Sequence, residues 1–460
     1  MGIFGALTTA VTGMRAQSFA LENISGNIAN SQTTAFKRED TSFVDLIPDN
    51  IPSKQLAGNV IANSRATNSV QGDIQNASVG TYMAVNGQGF FVVEKPANFA
   101  DNQPVFDGID LYTRRGDFST DKNGYLVNGA GYYLMGIPVD ALTGNLVGSV
   151  PTLLKFDSGF LPAQPTTQIQ YQANLASYPL TAAHDTGIPD SELLNPADFG
   201  TDPTVAGTGT VIDSDVATFL KESISGGAIT AYDVSGSPVN VQLRWAKTDT
   251  ALTGGTDTWE LFYQTDSSPA VGGVAWQNAG VDYTFAANGQ MSPSVPLVTL
   301  TGVVVNGVSL GNVVLQHGSN GLTQFADPNG NVQVNTLQQN GFPAGVLQSV
   351  AVNDKGRVVG TYSNSRTIDL AEITLANFNG VDGLKRIDGG AFVATDESGP
   401  PTYNAAGKIV GSSLEGANTD IADEFTKLII TQQAYSANTK VITTSNEMVQ
   451  DLLNLSLIHI

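Results

Sequence analysis

Cysteine is missing from all 460 residues of the sequence. Its absence excludes disulfide frameworks, thiol catalysis and metal sites with cysteine ligands. The three histidines, His184, His317 and His459, lie far apart without the spacing of metal ligands, so we expect no zinc site and no histidine base. Phosphate-binding loops and nucleophile motifs are missing too. The sequence therefore predicts no catalytic centre, no cofactor and no metal ion, and a protein that is not an enzyme.

Charge is scarce and mostly of one sign. Only 14% of residues are charged, and 42 Asp and Glu against 21 Lys and Arg give a formal net charge of −21. We expect no binding to nucleic acid, because phosphate contacts need clusters of Lys and Arg that the sequence does not contain. The acidic excess is concentrated in residues 181–320, with 14 acidic and 3 basic residues. We expect this segment to face solvent.

Long hydrophobic runs are absent as well. No stretch approaches the roughly 20 apolar residues of a membrane-spanning helix, so we expect no membrane insertion. Residues Met1 to Val11 lack the basic start of a signal peptide, and no small-residue cleavage site follows them. The sequence therefore predicts either a cytoplasmic protein or one that is exported without cleavage of its N-terminus.

Apolar residues repeat every seven positions near both ends of the chain. Between Gly5 and Asn30 the stripe consists of Leu7, Val11, Met14, Leu21 and Ile28. Between Asn418 and Asn454 it consists of Ile421, Phe425, Leu428, Tyr435, Ile442, Val449 and Leu453. Such a heptad repeat is typical of a helix that packs against another helix along its length. We predict two long coiled-coil-like helices that pair with each other or with copies in neighbouring molecules.

The stripes also allow an ordinary alternative, in which each helix packs on the core of its own domain. Strict heptads over several repeats are uncommon on such helices, which favours packing of helix on helix. Polar residues such as Ser18, Ser25 and Gln432 weaken a lone coiled coil, but polar seam positions can also set the register of helices in a larger wall. We interpret the stripe residues as assembly seams.

The middle of the chain has the short apolar runs and turn residues of β-structure. Asn86-Gly87, Asn123-Gly124 and Asn306-Gly307 mark hairpin turns. Asp121 and Asn123 resemble part of a calcium loop, but Ser119 and Ala130 would occupy its first and twelfth positions and cannot serve there, so we interpret the stretch as a turn. All three Trp fall between residues 173 and 340, which argues for an independent core there.

The predicted fold is mixed α and β, with paired terminal helices and mainly β domains nested between them. The chain would leave one β-domain, form a second one and then return to the first, so that the domains are discontinuous. We divide the chain into a terminal helical domain (1–30 with 418–460), an irregular connecting segment (31–80), an inner β-domain (81–172 with 341–417) and an outer acidic β-domain (173–340).

Several stretches resemble one known family. Residues 25–37, SGNIANSQTTAFK, resemble the N-terminal signature of the bacterial flagellar rod and hook family. Residues 86–93, NGQGFFVV, and 112–118, YTRRGDF, are similar to its inner β-domain, and residues 414–438 to its terminal helix. Ala35 stands where the family usually has Gly. The motif residues of the N-terminal signature are Asn27, Asn30, Thr33, Phe36 and Lys37.

The resemblance implies a structural subunit that assembles with itself into a helical tube. Within the family, rod proteins are similar at their termini but lack a large inserted middle, so the length of this chain favours a subunit of the hook. The expected assembly is a flexible, curved, hollow tube that links the basal-body rod to the filament and transmits torque. It would lie outside the cell, after export by the flagellar type III apparatus without a cleaved signal peptide. The implied partners are further copies of this chain, the rod protein, the hook cap protein, the hook–filament junction protein and the export apparatus.

Two other functions remain open at this point. One is the distal rod protein of the basal body, against which the large inserted domain argues. The other is a secreted β-rich adhesin or glycan-active protein, which would explain the middle of the chain and its low charge. Heptad repeats at both termini argue against that alternative.

Overall fold

The computed structural model describes residues 2–46, 59–140, 143–156, 159–403 and 407–458. The chain forms two compact units, of which unit 1 comprises Met1–Ser158 with Leu347–Ile460 and unit 2 comprises Gly159–Val346. Strands predominate in both, and the two long helices are the first and the last element of the chain, both in unit 1. The predicted combination of terminal helices with a mainly β middle is confirmed. Within the described ranges, no helix is long and apolar enough to cross a membrane.

The first part of unit 1 begins with a long helix and continues as short strands. These elements are α1 (Ile3–Ala29), β1 (Glu39–Leu46), β2 (Asn59–Ala66), β3 (Ile74–Asn76), β4 (Met83–Asn86), β5 (Phe90–Glu94), β6 (Asn98–Ala100), β7 (Gln103–Val105), β8 (Leu111–Thr113), β9 (Phe118–Thr120), β10 (Leu126–Asn128), β11 (Tyr133–Pro138) and β12 (Thr152–Leu153).

Unit 2 contains longer strands and one short helix. They are β13 (Phe160–Leu161), β14 (Gln168–Ala176), β15 (Thr210–Ile212), α2 (Val216–Glu222), β16 (Ile224–Tyr232), β17 (Pro238–Asp249), β18 (Thr258–Gln264), β19 (Val274–Thr284), β20 (Leu297–Val305), β21 (Val308–Gln316), β22 (Leu322–Phe325) and β23 (Gln333–Gln339).

The chain then returns to unit 1 and ends in its longest helix. The last elements are β24 (Gly345–Val352), β25 (Arg357–Tyr362), β26 (Thr367–Ile373), β27 (Leu375–Asn377), β28 (Lys385–Ile387), β29 (Ala391–Val393), β30 (Thr402–Tyr403), β31 (Lys408–Gly411), β32 (Ser413–Glu415) and α3 (Ile421–Ile458).

The large sheet of unit 1 mixes strands from the two parts of the chain. Along it the order is β24-β25-β26-β11-β5-β8-β29-β28. Strand β11 pairs with β26 on one side and with β5 on the other, and β8 lies between β5 and β29. Phe91, Leu134 and Ile373 are buried together in the core beneath these strands. The first and last parts of unit 1 therefore share one sheet and one core.

A two-stranded ribbon occupies part of segment 31–80, which we expected to be irregular. Strands β1 and β2 pair antiparallel over eight residues each, from Glu39 opposite Ala66 to Leu46 opposite Asn59. The expectation was wrong for these strands because most of their side chains are exposed. An exposed strand leaves no alternation of apolar and polar residues in the sequence. Residues 47–58, which join the strands, lie outside the described residues.

Unit 2 consists of two five-stranded sheets. One is antiparallel with the order β15-β19-β18-β17-β16. In the other, β14 pairs with β21, β22 and β23, and β20 pairs with β21. Trp245 and Trp259 are buried in a core to which both sheets contribute. Trp276 packs against Phe219 of α2 in a smaller cluster. The independent core expected from the three Trp is therefore confirmed.

Hairpin turns in both units use an Asp or Asn followed three residues later by Gly. The Oδ1 atom of Asp121 accepts hydrogen bonds from the backbone N–H of Asn123 at 2.9 Å and of Tyr125 at 2.8 Å. Gly124 has a φ of +86°, a conformation that glycine adopts without strain. The same pattern recurs at residues 233–237. The predicted turn at Asp121 is confirmed, and its carboxylate is engaged in the turn.

Candidate functional site

The terminal helices α1 and α3 pack against each other in antiparallel orientation. Asn27, near the end of α1, donates a hydrogen bond at 3.1 Å to Glu424 in the first turn of α3. Gly13, about four helical turns earlier on α1, faces Asn438 farther along α3. The predicted pairing of the two terminal helices is confirmed.

Small and polar side chains form the contact between the helices. A Cβ atom added at Gly13 would lie 3.1 Å from the amide of Asn438, so the two backbones approach closely there. Large side chains have no room in such a seam. The buried residues of α1 are Ala10, Ala16, Ala20, Ile24 and Asn27. Those of α3 within its described side chains are Glu424, Thr431 and Ser445.

The residues of the two predicted stripes lie beside this contact. Half-buried positions are occupied by Leu7, Val11, Met14, Leu21, Ile28, Leu428, Ile442 and Val449. Exposed positions are occupied by Ile421, Phe425, Tyr435 and Leu453. Within the chain, the helices therefore meet through other rows than the stripes. That the stripe residues form seams between assembled copies stays a prediction.

Both stripes border the same side of the helix pair. The hydroxyl of Thr439, which lies one helical turn from Tyr435, donates to the Sδ atom of Met14 at 3.3 Å. One residue of helix corresponds to a rotation of about 100°, so the row Gly13–Ala20–Asn27, which faces α3, and the stripe Met14–Leu21–Ile28 occupy adjacent faces. The sequence thus predicted the helices and their pairing, but not which row of each helix contacts the other.

A polar network holds the helices together at their root, where α1 ends and α3 begins. The amide of Asn27 donates to the backbone carbonyl of Glu39 at 2.9 Å and accepts from the N–H of Glu39 at 2.9 Å. Glu424, which is fully buried, also accepts from Lys427 Nζ at 2.8 Å, and Lys427 reaches Asp40 at 3.2 Å. The root therefore joins α1, α3 and the start of β1 through a single set of contacts.

Three buried charges belong to the same root. The carboxylate of Glu415 contacts Lys37 Nζ and accepts from Arg114 Nη1 at 3.3 Å and from the N–H of Gly72 at 3.0 Å. Lys37 also donates to the carbonyl of Val70 at 2.7 Å. Burial lowers the pKa of Lys37, while the charge of Glu415 opposes this shift. Two cations and one carboxylate leave this cluster with an excess of positive charge.

The side chain of Asn418 connects several segments around the root. Asn418 accepts from the N–H of Arg38 at 2.7 Å and donates to the carbonyls of Thr67 and Val70, both at 3.2 Å. These bonds connect the residues just before α3 to those just before β1 and just after β2. The start of α3 is thereby fixed relative to the end of α1.

Arg386 holds the segment that follows α1 from the side of the β-sheet. Its guanidinium lies 4.9 Å from the ring centre of Phe36, donates to the carbonyl of Lys37 and contacts the carboxylate of Glu39 at 3.2 Å. Such a cation over an aromatic ring is attractive in partly buried surroundings. Phe36 and Lys37, both motif residues, are thus anchored in the root.

The remaining motif residues shape the turn after α1. The Asn30 amide donates to the carbonyl of Gly26 at 2.9 Å, and Thr33 Oγ1 donates to Asn30 Oδ1 at 3.2 Å. Ala35 has a φ of +56° and its N–H donates to the carbonyl of Glu415 at 2.8 Å. A left-handed conformation costs a residue with a Cβ about 1 kcal/mol, which explains why glycine suits this position better.

Sequence reasoning missed most of the partners of these motif residues. Glu415, Arg114, Asn418 and Arg386 are far from Lys37 in the chain, and no periodicity connects them. Glu415 and Arg114 do lie inside two of the stretches that resemble the rod and hook family. The resemblance could have drawn attention to them, but not paired them with Lys37.

The outward faces of α3 carry large apolar side chains. Those exposed are Ile421, Phe425, Ile429, Ile430, Tyr435, Val441, Met448, Leu452 and Leu453. Contiguous exposed apolar surface on a water-soluble protein marks a site of protein–protein contact. Unit 1 therefore presents a helix pair that is held together at its root and has apolar surface that none of the described residues covers.

Three models of flagellar protein domains match the chain. Residues 84–178 match the flagellar hook protein FlgE/F/G D1 domain. Residues 220–342 match the flagellar basal body protein FlaE D2 domain. Residues 410–455 match the C-terminal domain of the flagellar basal body rod FlgEFG proteins. The second match covers most of the middle segment, for which the sequence alone offered no motif.

Curated relatives resemble the chain from end to end. The flagellar hook protein FlgE of Brucella melitensis is 29% identical, and the alignment covers 99% of this chain and 100% of the relative. That of Salmonella typhimurium is 28% identical over 98% and 100%. A solved structure, the flagellar hook protein FlgE2 of Helicobacter pylori, aligns with 74% of this chain and 100% of its own at 16% identity, with a TM-score of 0.47.

Proposed function

The chain belongs to the bacterial flagellar rod and hook protein family and is a structural subunit of the flagellar hook, and we propose that its terminal helices carry the polymerisation. One observation supports this most directly. Helix α3 places small and polar residues against α1 and leaves large apolar side chains such as Ile430, Val441 and Leu452 exposed. Burial of those side chains between copies would supply the hydrophobic driving force for assembly.

The distal rod protein, the nearest alternative function, lacks such support. Hook proteins align with this chain over nearly its whole length and over their own. The chain therefore has no large insertion relative to them that would need another explanation.

The proposed division of the chain follows the order from the channel outward. The terminal domain, residues 1–30 with 418–460, would form a coiled-coil-like inner wall. The inner β-domain, 81–172 with 341–417, would form the shell around it, and the outer domain, 173–340, would be nested within that inner domain in the chain. The burial of Lys37 and Glu415 supports a stiff joint between wall and shell, because α1 ends and α3 begins at the same fixed root.

The connecting segment 31–80 would reach neighbouring copies through its ribbon. Thr41 and Ser64 on one face bond to Asn23 of α1. Val44 and Ile61, which are directly opposite each other in the ribbon, point to the other face and are exposed. An apolar cross-strand pair without cover is suited to contact with another copy.

The acidic outer domain would face solvent and make the contacts that change when the hook rotates while bent. Unit 2 contains 15 acidic and 3 basic residues, so equal charges meet when copies come side by side. Polar, hydrated contacts are exchanged more readily than a dry apolar interface. This supports a tube that bends as a universal joint while its inner wall transmits torque.

The expected partners at the ends of the tube follow from its place in the flagellum. These are the rod protein below, the hook–filament junction protein above, the hook cap protein during growth and the type III export apparatus. We propose export without a cleaved signal peptide. The absence of cysteine agrees with passage through a narrow channel as an unfolded chain, since no disulfide could form first.

Electron microscopy of the purified chain tests the proposed function. At high concentrations of a salting-out anion such as sulfate, which strengthens apolar contacts, the chain should form hollow tubes of constant diameter. Formation of soluble oligomers or amorphous aggregate only, by a chain whose β-units are folded, would contradict a hook subunit that polymerises through its own helices.

A further inference from the structure

One of the two sheets of unit 2 contains no charged residue. It consists of β14, β20, β21, β22 and β23, and the sequences of these five strands include no Asp, Glu, Lys or Arg. Unit 2 as a whole contains 15 acidic and 3 basic residues, and the strands of its other sheet include Arg244, Glu260 and Asp282. The uncharged sheet therefore differs from the rest of an acidic unit.

Strand β14 of this sheet alternates between core and surface. Ile169 and Tyr171 are buried in the core, whereas Gln168 and Gln170 are exposed. Successive side chains of a strand point to opposite faces, so the two glutamines lie on the outer face of the sheet. The next outer position, Gln172, is half-buried and accepts a hydrogen bond from a neighbouring threonine hydroxyl at 3.3 Å. The outer face of β14 is thus a line of amides.

Glutamines also form a row across the neighbouring strands. Gln170 of β14 is opposite Gln316 of β21 on one side and opposite Gln338 of β23 on the other. Leu297 of β20, directly opposite Gln316, continues the row and is 56% exposed. Neighbouring strands lie about 4.8 Å apart, so the four side chains span about 14 Å. We name these four residues the amide row.

The amide row has hydrogen-bonding capacity that the chain does not use. Gln170 and Gln338 are exposed and Gln316 is half-buried, and none of the described residues forms a hydrogen bond with their side chains. Each glutamine amide offers two donors and a carbonyl acceptor. A partner that binds along the row must therefore present both donors and acceptors. It must also be uncharged, because the row contains no charge that could neutralise one.

We propose that the amide row binds a neutral polysaccharide in an extended conformation, with the sugar chain running across the strands. Sugar hydroxyls both donate and accept hydrogen bonds, as the glutamine amides do. The rings of an extended β-1,4-linked chain repeat at an interval close to the spacing of the strands, so successive rings meet successive glutamines. Leu297 would pack against the apolar face of a ring at one end of the row. This binding activity lies beyond polymerisation and involves none of the surfaces proposed for it.

Charge argues against other classes of partner. Nucleic acids and acidic polysaccharides carry negative charge, which an acidic unit repels and the amide row cannot neutralise. A second copy that met the row with its own amide row would make a two-fold contact, whereas copies in a polymer meet through unlike surfaces. A more acidic face of a second copy would bury carboxylates against an uncharged surface, at a cost in free energy.

Binding of neutral oligosaccharides to the soluble full chain tests the site. The probes are cellohexaose and chitohexaose, each titrated by calorimetry, with oligogalacturonate as the charged comparison. Gln170→Glu places a carboxylate at the centre of the row with almost unchanged shape. Gln242→Glu is the matched control, because Gln242 is an exposed glutamine on β17 in the other sheet. Melting temperatures show whether each variant is folded.

We expect at least one of the two neutral oligosaccharides to bind the natural chain, and oligogalacturonate not to bind. Gln170→Glu should weaken the binding about tenfold, which corresponds to the loss of about one hydrogen bond. Gln338→Ala, which removes an amide without adding charge, should weaken it about threefold to tenfold. Gln242→Glu should bind as the natural chain does. Failure of the natural chain to bind either neutral probe, or equal weakening by Gln170→Glu and Gln242→Glu, would overturn the inference.

The same variants show whether another copy occupies this face instead. We expect Gln170→Glu and Gln242→Glu to need the same concentration for polymerisation. A higher concentration for Gln170→Glu alone, with unchanged oligosaccharide binding, would assign the face to another copy and overturn the inference. Failure of the sugar site would leave the hook function intact, whereas a natural chain that forms no tubes would refute the hook function and leave the binding result standing.

Discussion

The three buried charges at the root differ in what their loss would cost. Glu415 is the counter-ion of both Lys37 and Arg114, and all three side chains are almost fully buried. Breaking a buried ion pair is destabilising mainly because it leaves a charge without compensation. Removal of the carboxylate leaves two such charges, whereas removal of Lys37 leaves Glu415 and Arg114 as a balanced pair.

We therefore predict a strong asymmetry between two substitutions at this cluster. Glu415→Gln should lower the free energy of unfolding of unit 1 by about 3–5 kcal/mol. Lys37→Met should cost about 1–3 kcal/mol, since it removes the charged one of the two donors to the Val70 carbonyl. Denaturant unfolding followed by circular dichroism measures both. Equal losses, or a larger loss for Lys37→Met, would contradict the charge balance described for the root.

A second buried group gives unit 2 a dependence on pH. Glu260 in β18 is 3% exposed, accepts from Asn278 at 2.7 Å and lies opposite Asp282 in the sheet. Burial, with the nearby charge of Asp282, raises the pKa of Glu260 to about 8. The folded state therefore holds a proton that the unfolded state has already lost at pH 7. Stability from this group is complete below the ordinary pKa of Glu and is lost as the pH rises through 8.

Between pH 7 and pH 8, unit 2 should thus become less stable, with a slope of at most about 1.4 kcal/mol per pH unit. Burial lowers the pKa of His317, so near pH 7 the unfolded imidazole binds more protons than the folded one and adds a small slope of opposite sign. Glu260→Gln has the shape of the protonated acid and should remove the dependence. Melting temperatures of both proteins at the two pH values measure this. A variant with the same slope as the natural chain would contradict a protonated Glu260.

At the scale of elements, two glycines of α1, Gly13 and Gly26, differ in how closely other side chains approach them. Gly13 faces Asn438 at close distance, whereas no atom lies within 4 Å of the position a Cβ would take at Gly26. Alanine within a helix is more favourable than glycine by about 1 kcal/mol, unless its methyl group has no room.

Gly26→Ala should therefore stabilise the helix pair by up to about 1 kcal/mol. Gly13→Ala should gain less, and Gly13→Leu should separate the helices, since its side chain would have to displace Asn438. Helix content by circular dichroism and the temperature at which tubes dissociate measure both effects. If Gly13→Leu assembled as well as Gly26→Ala, the close contact at Gly13 would not be part of the tube.

The heptads show how far sequence alone could go. They predicted both helices and their pairing because large apolar residues repeat at the right interval. They did not predict the contact rows, because Ala10, Ala20 and Thr431 carry little apolar signal. Asp420, directly before α3, caps the helix by accepting from the N–H of Ala422 at 2.8 Å. A cap depends on neighbouring residues and is visible in sequence, unlike the pairing of Lys37 with Glu415, which depends on the whole fold.

At the scale of the whole molecule, most of unit 2 lies between two positions of the chain that are close together in space. Gln164 and Phe342 exchange two backbone hydrogen bonds of 2.9 Å, so the chain enters and leaves most of unit 2 at adjacent positions. A two-residue Asn-Gly turn can connect antiparallel strands at this distance.

We predict that a chain in which Asn-Gly replaces residues 165–341 still forms tubes. The surfaces proposed for polymerisation all lie in unit 1, and the deletion removes acidic side chains that repel one another. The tubes should be straighter or less stable than natural ones, because the outer contacts are missing. Electron microscopy measures their shape. Soluble chain only, from a variant whose remaining sheet is folded, would show that unit 2 is needed for assembly.

The assembly threshold of Ile430→Ala tests the central claim most directly. Ile430 is exposed in the single chain, so the melting temperature of the soluble variant should equal that of the natural protein. In tubes the side chain would be buried, and its truncation should cost about 2–5 kcal/mol per subunit. The concentration needed for polymerisation, measured by sedimentation, should rise about tenfold for each 1.4 kcal/mol, whereas Gln433→Ala, at an exposed polar position of α3, should leave it unchanged. A destabilised soluble protein with a normal threshold would contradict the claim that the terminal helices hold the hook together.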